Sequence, residues 1–128
     1  MENQKSAIGL DGNITAALGY IIGIVALIEI FIEKDNKFVR FHAIQSLLWG
    51  VLMFVVIIVV AILGTIIGIG AAMASTGLAY LVGLVFTLIY LAWLAALLGG
   101  MIYAAIKAYG NEKFKLPLVG NYAEQWSN

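Results

Sequence analysis

Apolar positions run almost unbroken from residue 14 to residue 106, and the one dense polar interruption is the segment 33–46, EKDNKFVRFHAIQS. Residues 14–32 make a first run of nineteen positions in which Glu29 is the only charged side chain. As a helix it is about 28 Å long, enough to cross the hydrocarbon core with little tilt. Asn13 precedes it as a natural N-cap. A second run covers residues 44–74 and a third residues 78–106, with Ser75, Thr76 and Gly77 between them as the clearest turn signal. Residues 41–106 hold no Asp, Glu, Lys or Arg, and glycines at 64, 68 and 70 supply no second polar turn, so these two runs predict a tight helical hairpin.

Residues 44–74 as one helix would measure about 46 Å, more than the hydrocarbon core requires. The leading part therefore belongs at the interface. Phe38, Val39, Phe41, Ile44, Leu47 and Leu48 interleave with Arg40, His42, Gln45 and Ser46 in helical fashion. His42, Gln45, Ser46 and Trp49 share one face, and such a polar stripe turns toward protein or water rather than lipid. The pattern predicts a short interfacial amphipathic helix over residues 36–48, bent into or continuous with the second span. The expected architecture is an all-α integral membrane protein with three transmembrane helices, 14–32, 49–74 and 78–106, that interfacial helix, and a cytoplasmic tail over 107–128. All of it forms a single membrane domain, 1–128.

Composition identifies the solvent. With 63% hydrophobic residues, 11% charged residues and a mean hydropathy of +1.03, the chain has too little polar cover for a soluble domain of 128 residues. A formal net charge of zero points to neither nucleic acid nor an acidic substrate. Without Cys there is no disulfide framework and no thiolate metal site. Lys and Arg near span ends concentrate on the cytoplasmic side. Three spans put Lys34, Lys37, Arg40, Lys107, Lys113 and Lys115 on one face and only Lys5 on the other. The expectation is a multi-pass protein of the cell membrane with its N-terminus outside and both the 33–43 loop and the C-terminus in the cytoplasm. Charges instead of a small-residue cleavage site follow the first run, so it reads as an anchor rather than a cleaved signal. Glu2 stands where myristoylation needs glycine, and there is no C-terminal Cys box, so no lipid anchor is expected.

Candidate chemistry concentrates around the polar interruption. Glu29 lies one helical turn before Glu33 on the same face, and Arg40 and His42 return at similar depth. With Gln45 and Ser46 they form the candidate polar cluster: Glu29, Glu33, Arg40, His42, Gln45 and Ser46. It has two readings, a structural clamp through a Glu29/Glu33 to Arg40/His42 network, or a ligand or proton site. One His and no Cys are too few ligands for zinc, so no metal site is expected. No P-loop, HExxH, GxSxG, or GxGxxG with a following acidic residue occurs. No catalytic residue, no cofactor and no enzymatic activity are therefore expected.

Small residues carry a different signal. Gly19 and Gly23, Gly64 and Gly68, and the ridge Ala92, Ala96, Gly100, Ala104, Ala108 repeat at four-residue spacing, which lets helix backbones approach closely in lipid. Such faces serve packing inside the bundle or self-association. A homo-oligomer or a partner membrane protein is expected alongside the lipid bilayer, and no nucleic acid. Tyr80 suits the outer interface and Trp49, Tyr103 and Tyr109 the inner one, whereas Tyr90 and Trp93, near mid-span, are expected to point into the bundle. In the tail, Lys113 and Lys115 mix with Phe114, Leu116, Leu118 and Val119 around Pro117, a composition for lying on the inner leaflet or docking a cytoplasmic partner.

The strings GLDGNITAALGYIIG, IEKDNKFVRFHAIQSLL and YGNEKFKLPLVGNYAEQW resemble a widespread group of small prokaryotic membrane proteins of unknown function. That group is often described as similar to Tic twenty, a subunit of the chloroplast inner-envelope import translocon. The resemblance covers nearly the whole chain. It is most specific at Glu33, Lys34, the FVRFHA run over 38–43, Gln45 and Ser46, and again at KLPLVG over 115–120. It implies a helical membrane fold and an import-related or complex-forming role, and the plastid proteins are thought to carry four spans against the three read here. The expected function is a non-enzymatic scaffold or subunit of a membrane complex. The alternative is a small oligomeric transporter or pore using Glu29 and the His42/Gln45/Ser46 face, analogous to small multidrug transporters with one acidic residue in the first helix.

Overall fold

The computed structural model describes residues 3–128, and these are all-helical: α1 (Gly12–Ile21), α2 (Gly23–Ile32), α3 (Lys37–Ala74), α4 (Thr76–Tyr109) and α5 (Gly120–Ser127), with no strand among the described residues. The chain divides into two compact units. One contains the residues up to Gly50 together with Leu98–Asn128, the other Val51–Leu97.

The first apolar run departs most from the sequence pattern, because it is not a span. It breaks at Ile22, whose φ of −119° and ψ of 95° are extended, and leaves two helices of 10 residues each. Each is about 15 Å long, half the hydrocarbon thickness. No proline or polar residue marks the break. Its only local signature is weak helix propensity, with the β-branched Ile21 and Ile22 directly before Gly23. The halves fold back on each other, and a Cβ built on Gly19 would stand 3.5 Å from Ala26 Cβ. In a straight helix those positions lie about 10 Å apart along the axis. The two ends of this hairpin also meet: Ala7 N–H donates to Glu33 Oε2 at 2.6 Å, and Asn36 Nδ2 donates to the Gln4 carbonyl at 2.9 Å. The three expected spans thus become two helices long and apolar enough to cross a membrane, α3 and α4.

α3 runs for 38 residues and α4 for 34, about 57 and 51 Å. Asn36 caps α3, its Oδ1 accepting the Val39 N–H at 3.2 Å while its carbonyl accepts the Arg40 N–H. No separate interfacial helix precedes the second span. Residues 37–48 are the first turns of α3, and Phe38, Val39, Phe41, Ile44, His42 and Gln45 are buried there rather than laid on a surface. Their polar stripe finds protein partners, so the helix has no reason to bend away. The hairpin turn falls at the Ser-Thr-Gly signal. Ser75 alone separates α3 from α4, and its Oγ accepts the Leu78 N–H at 3.1 Å as the N-cap.

Within Val51–Leu97 the only buried hydrophobic side chains are Met53 and Ala71, while residues such as Ile66 and Leu84 are more than half exposed. The unit contains no charged residue. Soluble core helices would be covered, so the solvent these two fit is hydrocarbon. Trp93 points inward and donates its indole N–H to the Met53 carbonyl at 2.9 Å. Gly64 receives Phe86, whose ring lies 2.9 Å from the position of an added Cβ. In the other unit Gly100 lies under Trp49, where a Cβ would meet the indole at 2.7 Å, and Ala104 and Ala108 are fully buried. Ala92 and Ala96 are exposed, and Gly23 and Gly68 have no atoms within contact distance of an added Cβ.

Candidate functional site

The polar cluster is assembled by a chain reversal after α4. Asn111 adopts a φ of 61°, the Asn111 N–H donates to the Ala108 carbonyl at 3.0 Å, and the Glu112 N–H donates to the Lys107 carbonyl at 2.9 Å. This Schellman turn satisfies the last carbonyls of α4 and directs residues 112–116 back along α3. The carbonyls of Glu112 and Phe114 then reach the His42 and Gln45 side chains.

Hydrogen-bond inventory fixes every proton in this network. Gln45 Nε2 donates to the Tyr20 hydroxyl at 2.7 Å and to the Phe114 carbonyl at 2.9 Å, and Gln45 Oε1 accepts the Leu116 N–H at 2.8 Å. Tyr20 oxygen is thereby an acceptor, so its own proton goes to His42 Nδ1, 2.7 Å away. His42 Nε2 lies 3.1 Å from the Glu112 carbonyl, which only accepts, and therefore carries the ring proton. His42 is the neutral Nε2–H tautomer, enclosed edge-on by the rings of Tyr20, Phe38 and Phe41. Burial pushes the Tyr20 hydroxyl further above its usual range, with the Gln45 hydrogen bond pulling the other way. Ser46 Oγ donates to the Gly19 carbonyl at 2.8 Å, near the break between α1 and α2.

The remaining cluster members have separate partners. Arg40 Nη1 donates to the carbonyls of Glu33 at 2.7 Å and Ile30 at 3.3 Å, placing its cation on the free end of α2. Glu33 accepts from the Ala7 and Asn36 N–H groups. Among the described residues no ion pair joins Arg40 or His42 to Glu29 or Glu33, so the expected four-residue network is replaced by bonds to the backbone. Glu29 is 1% exposed, and neither carboxyl oxygen has a hydrogen-bond partner. Its Oε2 lies 3.3 Å from the Cβ position of Gly19, across the hairpin. Burial, and then the like charge of Glu33, push this carboxyl from the ordinary 4.5 up to about 8.

The second signature, residues 115–120, locks the tail. Leu118 has a φ of 69°, and the Val119 N–H donates to the Pro117 carbonyl at 2.8 Å, a γ-turn of the rare positive-φ kind. Gly120 follows in contact: an added Cβ would meet Lys115 Cβ at 2.5 Å and Gln45 Oε1 at 3.1 Å. α5 then packs Ala123 against Phe41 and Ile44. On its outer side Lys115 pairs with Glu124 and holds that carboxyl below its usual range, through the hydrogen bond first and its charge after.

The arrangement is a cross-link. Gln45, His42 and Ser46 join α3 to α1 and to the returning tail. Among the described residues no group of three or more His, Asp or Glu side chains is placed to hold a metal ion. Sequence reasoning missed Tyr20 and the carbonyls of Gly19, Glu112 and Phe114. Tyr20 gave no signal inside an apolar run, and backbone groups never do.

The description "magnetosome magnetite crystal formation protein family" belongs to a family model that matches residues 5–123. A UPF0132 membrane protein of Methanocaldococcus jannaschii is 36% identical over 124 residues, covering 96% of this chain and 94% of that protein. A UPF0132 membrane protein of Archaeoglobus fulgidus is 36% identical over 114 residues, covering 88% and 92%. A further UPF0132 membrane protein of M. jannaschii is 32% identical over 121 residues, covering 94% and 73%. No solved structure matches. These findings support a small membrane protein family and a membrane location, and they do not show the likeness to Tic twenty. A match spanning residues 5–123, with archaeal relatives aligned over most of their length, makes this chain a member of the magnetosome magnetite crystal formation protein family.

Proposed function

We propose that this protein is a non-enzymatic scaffold or subunit of a membrane complex, inserted by α3 and α4 with α1 and α2 as a re-entrant hairpin. The observation that carries this reading is the division of chemistry along the chain. All seven Lys and Arg and all seven Asp and Glu fall outside residues 51–97, and the buried polar side chains of the other unit, Glu29 apart, are hydrogen-bonded within it, mostly to backbone groups. Val51–Leu97 has apolar side chains turned outward and no reactive group, so contact is what it has to offer. Ala92 and Ala96 are exposed on α4, and Gly68 and Gly83 are open. Those positions suit a close helix contact with a second copy or a partner membrane protein.

Two spans place the N-terminal segment, the 33–36 loop and the tail on one side, so every Lys and Arg lies there. By the positive-inside bias that side is the cytoplasm, and the N-terminus joins it instead of lying outside. The family description names magnetite crystal formation. Purification in mild detergent, followed by mass spectrometry of whatever stays bound, tests the proposal. A stoichiometric complex, with itself or another membrane protein, that dissociates on Ala92→Leu/Ala96→Leu is the expected result. The partners' identities decide whether an import-related role, as the Tic twenty resemblance implies, is the form it takes. A monomer with no partner overturns the proposal.

One observation favours a second reading. Glu29 is buried without a partner, as a proton- or cation-carrying group in a small transporter would be. Ion flux in proteoliposomes that disappears on Glu29→Gln would replace the scaffold reading with that one.

A further inference from the structure

We propose that the cleft formed by the N-terminal segment, the start of α3 and residue 113 binds a phosphate group, with Lys37 and Lys113 as its cationic ligands. The cleft has a volume of about 660 Å³, and its lining includes Gln4, Asp35, Asn36, Lys37, Phe38 and Lys113. Three other lysines are already paired, Lys5 with Asp11, Lys107 with Glu112 and Lys115 with Glu124. Among the described residues neither Lys37 nor Lys113 forms a close ion pair, Lys113 acting on Glu124 only through its charge at longer range, and both line this one cavity. Lys113 Nζ lies 4.9 Å over the ring of the buried Phe41, a contact that places the ammonium without neutralising it.

Asp35 is the one acid in the lining, so the cleft keeps a net positive charge. The Asn36 side chain is committed to the Gln4 carbonyl and the Val39 N–H, which makes that wall rigid. Phe38 closes the other side with an apolar surface. Two compact, hydrated cations lining one water-open cleft match the spread negative charge of a phosphate better than a planar carboxylate, for which a forked guanidinium is the usual partner. The phosphate has two possible sources, an anionic lipid headgroup or a soluble phosphate-bearing molecule. The inference goes beyond the scaffold reading and does not depend on it.

The test uses the full chain in a neutral detergent, titrated calorimetrically with dihexanoyl phosphatidic acid and, separately, with inorganic phosphate. Saturable one-site binding of phosphatidic acid that inorganic phosphate does not displace assigns the site to lipid. Binding of both, in competition, assigns it to phosphate at large. Lys37→Gln/Lys113→Gln is expected to weaken binding at least about tenfold, because two charge-assisted contacts are lost. Lys37→Arg/Lys113→Arg keeps the charge and is expected to keep most of the affinity, which separates charge from folding. Lys34→Gln, an exposed lysine outside the lining, is expected to change nothing. No saturable binding of either probe, or an equal loss on Lys34→Gln, overturns the proposal.

Discussion

Gln45→Ala is expected to release the tail from the membrane-embedded body. Gln45 is fully buried and makes three hydrogen bonds, to Tyr20, Phe114 and Leu116, which belong to two different segments. Alanine orphans the Phe114 carbonyl and the Leu116 N–H at about 1–3 kcal/mol each, and adds a cavity. Tyr20 keeps its bond to His42, so its loss is smaller. The sum is about 3–6 kcal/mol, a large part of the 5–15 kcal/mol that holds a typical domain together. Lys113 and Lys115 lie within the freed segment, so trypsin reads the effect directly. In detergent, cleavage at those lysines is expected to accelerate well over tenfold, with a lowered unfolding midpoint. Wild-type cleavage and an unchanged midpoint would refute the assignment of Gln45 as the link between α3 and the tail.

Three further outcomes follow from the same geometry. Tyr20→Phe leaves His42 Nδ1 and one Gln45 N–H without partners and is expected to cost about 1–3 kcal/mol in chemical unfolding; a neutral result argues against the Tyr20 hydroxyl bridging His42 and Gln45. Gly120→Ala drives a Cβ into Lys115 and is expected to destabilise by about 1–3 kcal/mol, with α5 lost first by hydrogen exchange. Glu29 has a folded-state pKa raised from 4.5 to about 8, so folding favours its protonated form. Its penalty is absent below about pH 4.5 and grows as pH rises toward 8. Glu29→Gln is therefore expected to flatten that fall and to be more stable than the parent at pH 8, by a few kcal/mol at most; an identical pH profile for both proteins contradicts it.

Much of the hairpin was legible in the sequence. The charge-free stretch over 41–106 and the single Ser-Thr-Gly signal placed the turn within a residue or two, because lipid forbids hiding a second loop there. The face shared by His42, Gln45 and Ser46 was readable as one that seeks protein, since helical spacing alone decides it. Its partners were not readable, as most are backbone carbonyls and amides brought in by a chain reversal at Asn111. The first apolar run misled for a related reason. Nineteen apolar residues satisfy the length rule for a span whether or not they break, and Ile22 breaks the helix without a proline or a polar residue to announce it. Gly19 and Gly23 resembled a helix-packing face, whereas Gly19 instead admits Ala26 and Glu29 of the folded-back half.

In the two-span topology the first run is a hairpin that returns to its starting side. Because the chain has no Cys, single cysteines at Asn3, Ile22, Asp35, Ser75 and Asn128 give a clean accessibility map in intact cells and in inverted vesicles. Positions 3, 35 and 128 are expected to react with a membrane-impermeant maleimide only from the cytoplasmic side, position 75 only from outside, and position 22 from neither. Reaction of position 3 from outside, with position 35 still cytoplasmic, would restore a third span and contradict the two-span topology.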